Sequence, residues 1–272
     1  MRNIKLTIEY DGTDFFGWQK QPNCRTVQEV MENTIKKVLG EDIHLLGASR
    51  TDRGVHALGQ VACFKTNSSL HLEAMFKAFN ALLPEDIVIH QIEEVPLEFH
   101  PRYWAKSKTY EYVILLKPIR SPLIRRFSWH IPQVLDLEAM KECCEMLKGS
   151  HDFSSFKLSG SSAKNPVREM LRAEITLDSP FLFFLFEASG FLRGMARSIV
   201  GTLIDVGRGK IKPEDFRQIL EARDRKKASF TAPPEGLFLV EVKYGDYHFM
   251  DRFPKGGGVR GCTRNCFKIL RT

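Results

Sequence analysis

Residues 4–10 read Ile4-Lys5-Leu6-Thr7-Ile8-Glu9-Tyr10. Ile4, Leu6, Ile8 and Tyr10 share one face at period two, which predicts a half-buried strand ended by Asp11-Gly12. The pattern then changes period. Thr26 with Glu29 reads as a capping box, and Val27, Val30, Met31, Ile35, Val38 and Leu39 form one helical face that Gly40 closes. A strand over Gly59–Lys65, a helix carrying Leu72–Leu83 and stopped by Pro84, and a strand over Ile87–Val95 follow.

The second half repeats the mixture. Lys108–Leu116 reads as a strand with Tyr110, Tyr112 and Ile114 on one face, and Asp136 caps a helix over 137–147. Strands over Met170–Leu177 and Phe181–Glu187, helices over Phe191–Val206 and Pro213–Ala222, and a strand over Leu237–Tyr244 complete the pattern. Strands and helices are interspersed, and adjacent strands lie close enough to pair antiparallel. The fold class is therefore α+β rather than doubly wound α/β. The expected organisation is an N-terminal half, 1–105, a C-terminal half, 106–244, and a basic, flexible tail, 245–272.

At 272 residues with 43% apolar and 27% charged side chains, the chain is long enough to bury a sizeable core and is not of disordered composition. Its longest hydrophobic run, Phe181–Phe186, is far short of a membrane helix, and the N-terminus does not read as a signal peptide. A soluble, cytoplasmic protein is expected. The net charge of +7 favours a polyanionic partner. Residues 245–272 hold six Lys/Arg against two Asp, so any nucleic-acid site on the nearly balanced body must be a local patch. The six cysteines form no CxxC. Cys262 and Cys266 flank three residues without a second pair at ligand spacing, which argues against a zinc site.

Phosphate-loop, dinucleotide, zinc-hydrolase and serine-hydrolase motifs are missing. Three segments carry candidate chemistry instead. In Gly47–Ala57, Arg50 and Arg53 flank Asp52 and would hold an ionised carboxylate, a usable nucleophile or base. The bland alternative is a surface turn with a local ion pair, and Asp52 with His56 would also suit acid/base hydrolysis. In Arg102–Tyr110 basic residues, among them Lys106 and Lys108, interleave with aromatics, a mixture suited to RNA or to a solvated strand edge. Arg193 and Arg197, four apart, fall on one face of the expected helix and need a phosphate or carboxylate partner. His151 and Asp152 read as structural.

Together these segments resemble the TruA-type tRNA pseudouridine synthases, over about residues 3–244. The signature Arg-Thr-Asp-x-Gly-Val-His-Ala stands at Arg50–Ala57, supported by Tyr10-Asp11-Gly12-Thr13, Gly17-Trp18-Gln19 and Lys108-Thr109-Tyr110. Further matches are His151-Asp152-Phe153, Phe191-Leu192-Arg193 with Arg197, Gly207-Arg208-Gly209, and Thr231-Ala232-Pro233 with Gly236-Leu237.

The resemblance implies isomerisation of uridine to pseudouridine at positions 38, 39 and 40 of the tRNA anticodon arm, without metal or organic cofactor. It implies two ferredoxin-like halves sharing a mixed sheet about a central basic cleft, and a homodimer. It makes Asp52 the catalytic aspartate, Tyr110 the base-stacking tyrosine and a candidate for removing the C5 proton, and Arg197 the partner of the aspartate. Leu237 would pack on the base, and Arg50, Arg53, His56, Lys106, Lys108 and Arg193 would face RNA. Ser49 and Arg53 stand where glycine and alanine are commonest, and Gly194 replaces a common histidine.

Overall fold

The computed structural model describes residues 1–160 and 165–245; the tail with Cys262 and Cys266 lies outside the described residues. The fold is α+β, with ten strands and five helices among the described residues. The chain divides into two compact units. One comprises residues 1–106 and the segment from Leu239 onward, the other residues 107–238. From Leu239 the last described strand is grouped with the first unit, because its backbone runs beside the strand of residues 56–66.

The first unit contains β1 (Arg2–Tyr10), α1 (Val27–Leu39), β2 (Leu46–Gly47), β3 (His56–Thr66), α2 (Leu72–Leu82) and β4 (Ile87–Val95). β10 (Leu237–Lys243) begins in the second unit and completes the first. The strand order is β4-β1-β3-β10, with β2 on β3. β1 pairs antiparallel with β3 and β4, and Ile4, Leu6, Ile8 and Tyr10 are all buried as their period requires. α1 buries Val27, Met31 and Ile35 and ends on Gly40 in the left-handed region (φ +71°). α2 buries Met75 and Phe79, whose ring meets Phe64 of β3 edge-on.

Thr26 is the N-cap of α1, but its side chain makes no capping hydrogen bond. The expected capping box does not form. The first orphan amides of the helix are met from elsewhere: Val27 N–H donates to Gly17 O at 3.2 Å and Gln28 N–H to Trp18 O at 3.0 Å.

The second unit contains β5 (Ser107–Leu115), β6 (Trp129–His130), α3 (Leu137–Leu147), β7 (Gly149–Asp152), β8 (Val167–Asp178), β9 (Phe181–Ala188), α4 (Met195–Gly207) and α5 (Pro213–Glu221). The strand order is β5-β9-β8-β7, antiparallel, and the two-residue β6 pairs parallel with β5. β9 lies between β5 and β8. That central place explains its run of Phe181, Leu182, Phe183, Phe184 and Phe186, all buried. Each such ring contributes about 1.5–3 kcal/mol. α3 is capped as its sequence predicts, with Asp136 Oδ1 accepting from Ala139 N–H at 3.0 Å.

α4 begins four residues later than its apolar period suggests. Gly194 occupies the N-cap in the left-handed region (φ +68°), so Arg193 precedes the helix. Arg193 and Arg197 therefore do not share a helical face. The Arg193 guanidinium instead donates to Ser159 O at 3.2 Å.

Candidate active site

In the first unit the Asp52 loop is seated by close backbone approach. A Cβ on Gly12 would lie 2.0 Å from Val55 O, and one on Gly17 would lie 2.5 Å from Thr51 O and 3.1 Å from the Asp52 carbonyl carbon. Only glycine fits at either position, and Gly17 also needs its φ of +91°. Through these gaps run the bonds that fix the loop. Trp18 N–H donates to Thr51 O at 3.1 Å, Gly54 N–H to Phe15 O at 3.3 Å, and Val55 N–H to Asp52 O at 3.2 Å. The Tyr10 and Thr51 hydroxyls are 2.8 Å apart. The segments Tyr10–Gln19 and Arg50–Ala57, remote in sequence, thus form one structural piece, and Trp18 O ties that piece to α1.

Asp52 is half-buried at the tip of this piece, and Arg50 and Arg53 on either side are exposed. The Arg53 guanidinium lies over the Phe16 ring, 4.2 Å from its centroid. His56 is placed differently from the expectation of an RNA-facing group. It is buried, 1% exposed; its Nδ1 lies 3.0 Å from Gly12 N and 3.2 Å from Asp11 Oδ1. It locks the turn after β1 to the start of β3, a role that suits neither an RNA contact nor the acid/base hydrolase. Burial pushes the Asp11 carboxyl up, but His56 and the amide and hydroxyl of Thr13 outweigh it and hold the carboxyl well below its ordinary value.

The remaining candidates lie in the second unit, Lys106 excepted, which is exposed at the end of the first. Tyr110 and Lys108 fall on the same face of β5, both buried. Lys108 is thus a strand-interior residue, not the exposed RNA contact expected of it. The Tyr110 ring meets Phe191 edge-on at 4.7 Å. Phe191 stood in a matched motif without a role; an aromatic just before a helix that opens on glycine was the signal.

Arg197, on the first turn of α4, donates from Nε to Ala232 O at 2.8 Å, and Ala232 N–H returns a bond to Arg197 O at 3.0 Å. Gly201 lets the helix lie against this segment, since a Cβ there would meet Phe230 O at 2.0 Å. Arg225, which the sequence did not single out, clamps the same segment. It donates to Ala228 O at 3.2 Å, Ser229 O at 2.8 Å and Thr231 Oγ1 at 3.0 Å. Tyr112 then holds the next turn, its hydroxyl donating to Pro233 O at 2.7 Å. Burial, with Glu235 nearby, pushes that phenol well up, so it stays a neutral donor. The motif Thr231–Leu237 is therefore a seat that delivers Leu237 to the start of β10.

Cys63 and Cys143 are buried with thiols pushed up to about 12 by burial. Among the described residues no helix is long and apolar enough to cross a membrane.

The sequence model of the tRNA pseudouridine synthases matches residues 6–104 and 143–245. The chain belongs to the tRNA pseudouridine synthase family. Relatives named tRNA pseudouridine synthase A include one from a Thermoanaerobacter species, 49% identical over 244 residues that cover 90% of this chain and 100% of the relative. Another, from Caldicellulosiruptor saccharolyticus, is 50% identical over 244 residues with the same coverage. One from a Geobacter species is 48% identical over 245 residues, covering 90% of this chain and 99% of its own. Asp52, Arg197 and Leu237 fall inside the segments matched to the synthase family, and Tyr110 falls between them.

Proposed function

We propose that this isomerase converts uridine to pseudouridine at positions 38, 39 and 40 of the tRNA anticodon arm, with Asp52 as its essential group. The observation that carries the reading is the Arg50–Ala57 signature, seated by two glycines that admit no side chain, in a chain half identical to synthases along their full length.

The reaction breaks the C1′–N1 bond and joins C1′ to C5. The C5 proton leaves and N1 gains one, so the product is an isomer and needs no redox partner. The Asp52 carboxylate serves either by adding covalently to the nucleotide or by removing a sugar proton. The target uridine must leave its stack, at a cost of a few kcal/mol. Stacking on Tyr110, supported edge-on by Phe191, returns about 1–3 kcal/mol. Arg197 is the expected counter-ion of the aspartate, and Leu237 the apolar support of the base. Arg50, Arg53, Lys106 and Arg193, all exposed, remain the candidates for phosphate contacts. The resemblance also implies a cytoplasmic homodimer; sedimentation equilibrium tests the dimer.

The direct test is tritium release from tRNA transcripts tritiated at uridine C5, with no metal or cofactor added. Wild-type protein releases tritium and Asp52→Ala does not, while both bind tRNA. Absence of release from several tRNAs with uridine in the anticodon arm overturns the catalytic reading in favour of RNA binding alone. Release that survives Asp52→Ala moves the chemistry to another residue.

A further inference from the structure

Phe15 and Phe16 each carry an arginine, and the two pairs differ. Phe15 is buried, Arg25 lies over it at 4.0 Å, and Asp86 takes the Arg25 guanidinium through two bonds of 2.8 and 3.0 Å. That charge is spent inside the protein. Phe16 is 41% exposed, and Arg53 lies over it at 4.2 Å. Among the described residues Arg53 has no carboxylate or carbonyl partner, and the ring is its contact. The pairing follows from the loop seat. Gly17 brings the backbone of residues 51–53 against the Phe15–Gly17 segment, and the side chain before Gly17 then lies under the one after Asp52.

We propose that Arg53, held over the Phe16 ring, grips a backbone phosphate of the RNA strand that carries the target uridine. The proposal rests on the function proposed above. A guanidinium stacked on a ring has one face covered and its N–H donors turned outward in a plane, the geometry that takes two phosphate oxygens at once. The ring also removes rotamer freedom before the RNA arrives, so less is lost on binding. Arg53 is adjacent in sequence to Asp52, so a phosphate held there fixes the strand's register relative to the carboxylate. Phe16 acts through Arg53 and is a positioning residue.

The test compares wild-type protein with Arg53→Ala, Arg53→Lys, Phe16→Ala, the double alanine variant, and Lys77→Ala. The last removes a distant exposed lysine of α2 that pairs with Glu73 and controls for bulk charge. Filter binding to tRNA across a salt series and steady-state tritium release are both measured. Arg53→Ala raises Kd and KM roughly tenfold, with a smaller effect on kcat, in keeping with one lost charged contact. It also flattens the log Kd against log salt slope by about 0.7–0.9. Arg53→Lys keeps the slope but loses affinity severalfold, because the ammonium is a point charge without the fork. Phe16→Ala weakens binding severalfold in the wild-type background and has no effect in the Arg53→Ala background. Lys77→Ala matches wild type.

Wild-type Kd, KM and salt slope in Arg53→Ala overturn the proposal. So does a Phe16→Ala effect that persists undiminished without Arg53. The binding arm needs no turnover. A wild-type protein that binds tRNA but releases no tritium overturns the isomerase reading, while the salt slopes still decide Arg53.

Discussion

The Asp52 loop of the first unit and the Arg197-bound segment of the second are both short irregular stretches that carry candidate site residues, and they are held by opposite means. The first is fixed by backbone against backbone. Gly12 and Gly17 let the two chains approach until no Cβ fits. The second is fixed by long side chains, Arg197, Arg225 and Tyr112, that reach main-chain carbonyls. A seat made by glycine has no intermediate state, because any side chain displaces the backbone. A seat made by arginines and a tyrosine can be weakened in steps, one bond at a time. The Arg197 guanidinium is itself steered by its own Nε bond to Ala232 O.

That contrast can be pressed from its strong end. Gly12→Ala places a Cβ against Val55 O, and should destabilise the protein by roughly 3 kcal/mol or more and abolish tritium release. Thermal unfolding with the release assay measures both, and a well-folded, active Gly12→Ala protein would refute the glycine seat. Arg225→Ala removes three bonds from the other segment and should cost about 2–3 kcal/mol, with kcat falling more than KM. Arg225→Lys should recover part of the stability, which no substitution of Gly12 should do. Tyr112→Phe deletes the single bond to Pro233 O and should cost about 1 kcal/mol, read as a small shift in urea midpoint.

The smallest effect is a pH dependence. Asp11 titrates below its ordinary 3.8 in the folded chain, so its bonds stabilise the fold above that pH and are lost as pH falls through the depressed value. The stability gap between wild type and Asp11→Asn should therefore be constant at neutral pH and shrink progressively below about pH 4. A gap that widens on acidification would mean the carboxyl is not held ionised.

Much of this was legible in the chain. β4 has the bounds Ile87–Val95 that its flanking turns and apolar pattern indicate, and Gly40 ends α1 as read. The Asp52 segment stood out by its density of charged and glycine residues. Where the reading failed, tertiary bonding overrode a local rule. Thr26 looked like a cap, but the carbonyls of Gly17 and Trp18, folded back from the preceding loop, take that work. The run from Phe191 has helical period, but Gly194 adopts a left-handed turn in which a Cβ would strike Leu158 at 2.4 Å. Lys108 and His56 looked like surface groups by type, and their burial depends on partners far along the chain. Arg225 gave no local signal, since a clamp is defined by where it reaches.

β10 ties the first unit to the order in which the chain is made. Lys106 N–H bonds Lys243 O at 2.8 Å, Tyr244 donates to Pro101 O at 2.8 Å, and β10 takes a neighbouring place on β3. All of residues 107–238 leave the ribosome between those partners. At about 5–20 residues per second that interval is on the order of ten seconds. For that time the nascent first unit holds its Asp52 loop beside a strand whose edge is still open, the kind of surface that invites wrong pairing. The last strand therefore acts as a timer: the first unit is complete only after the whole of the second has been made.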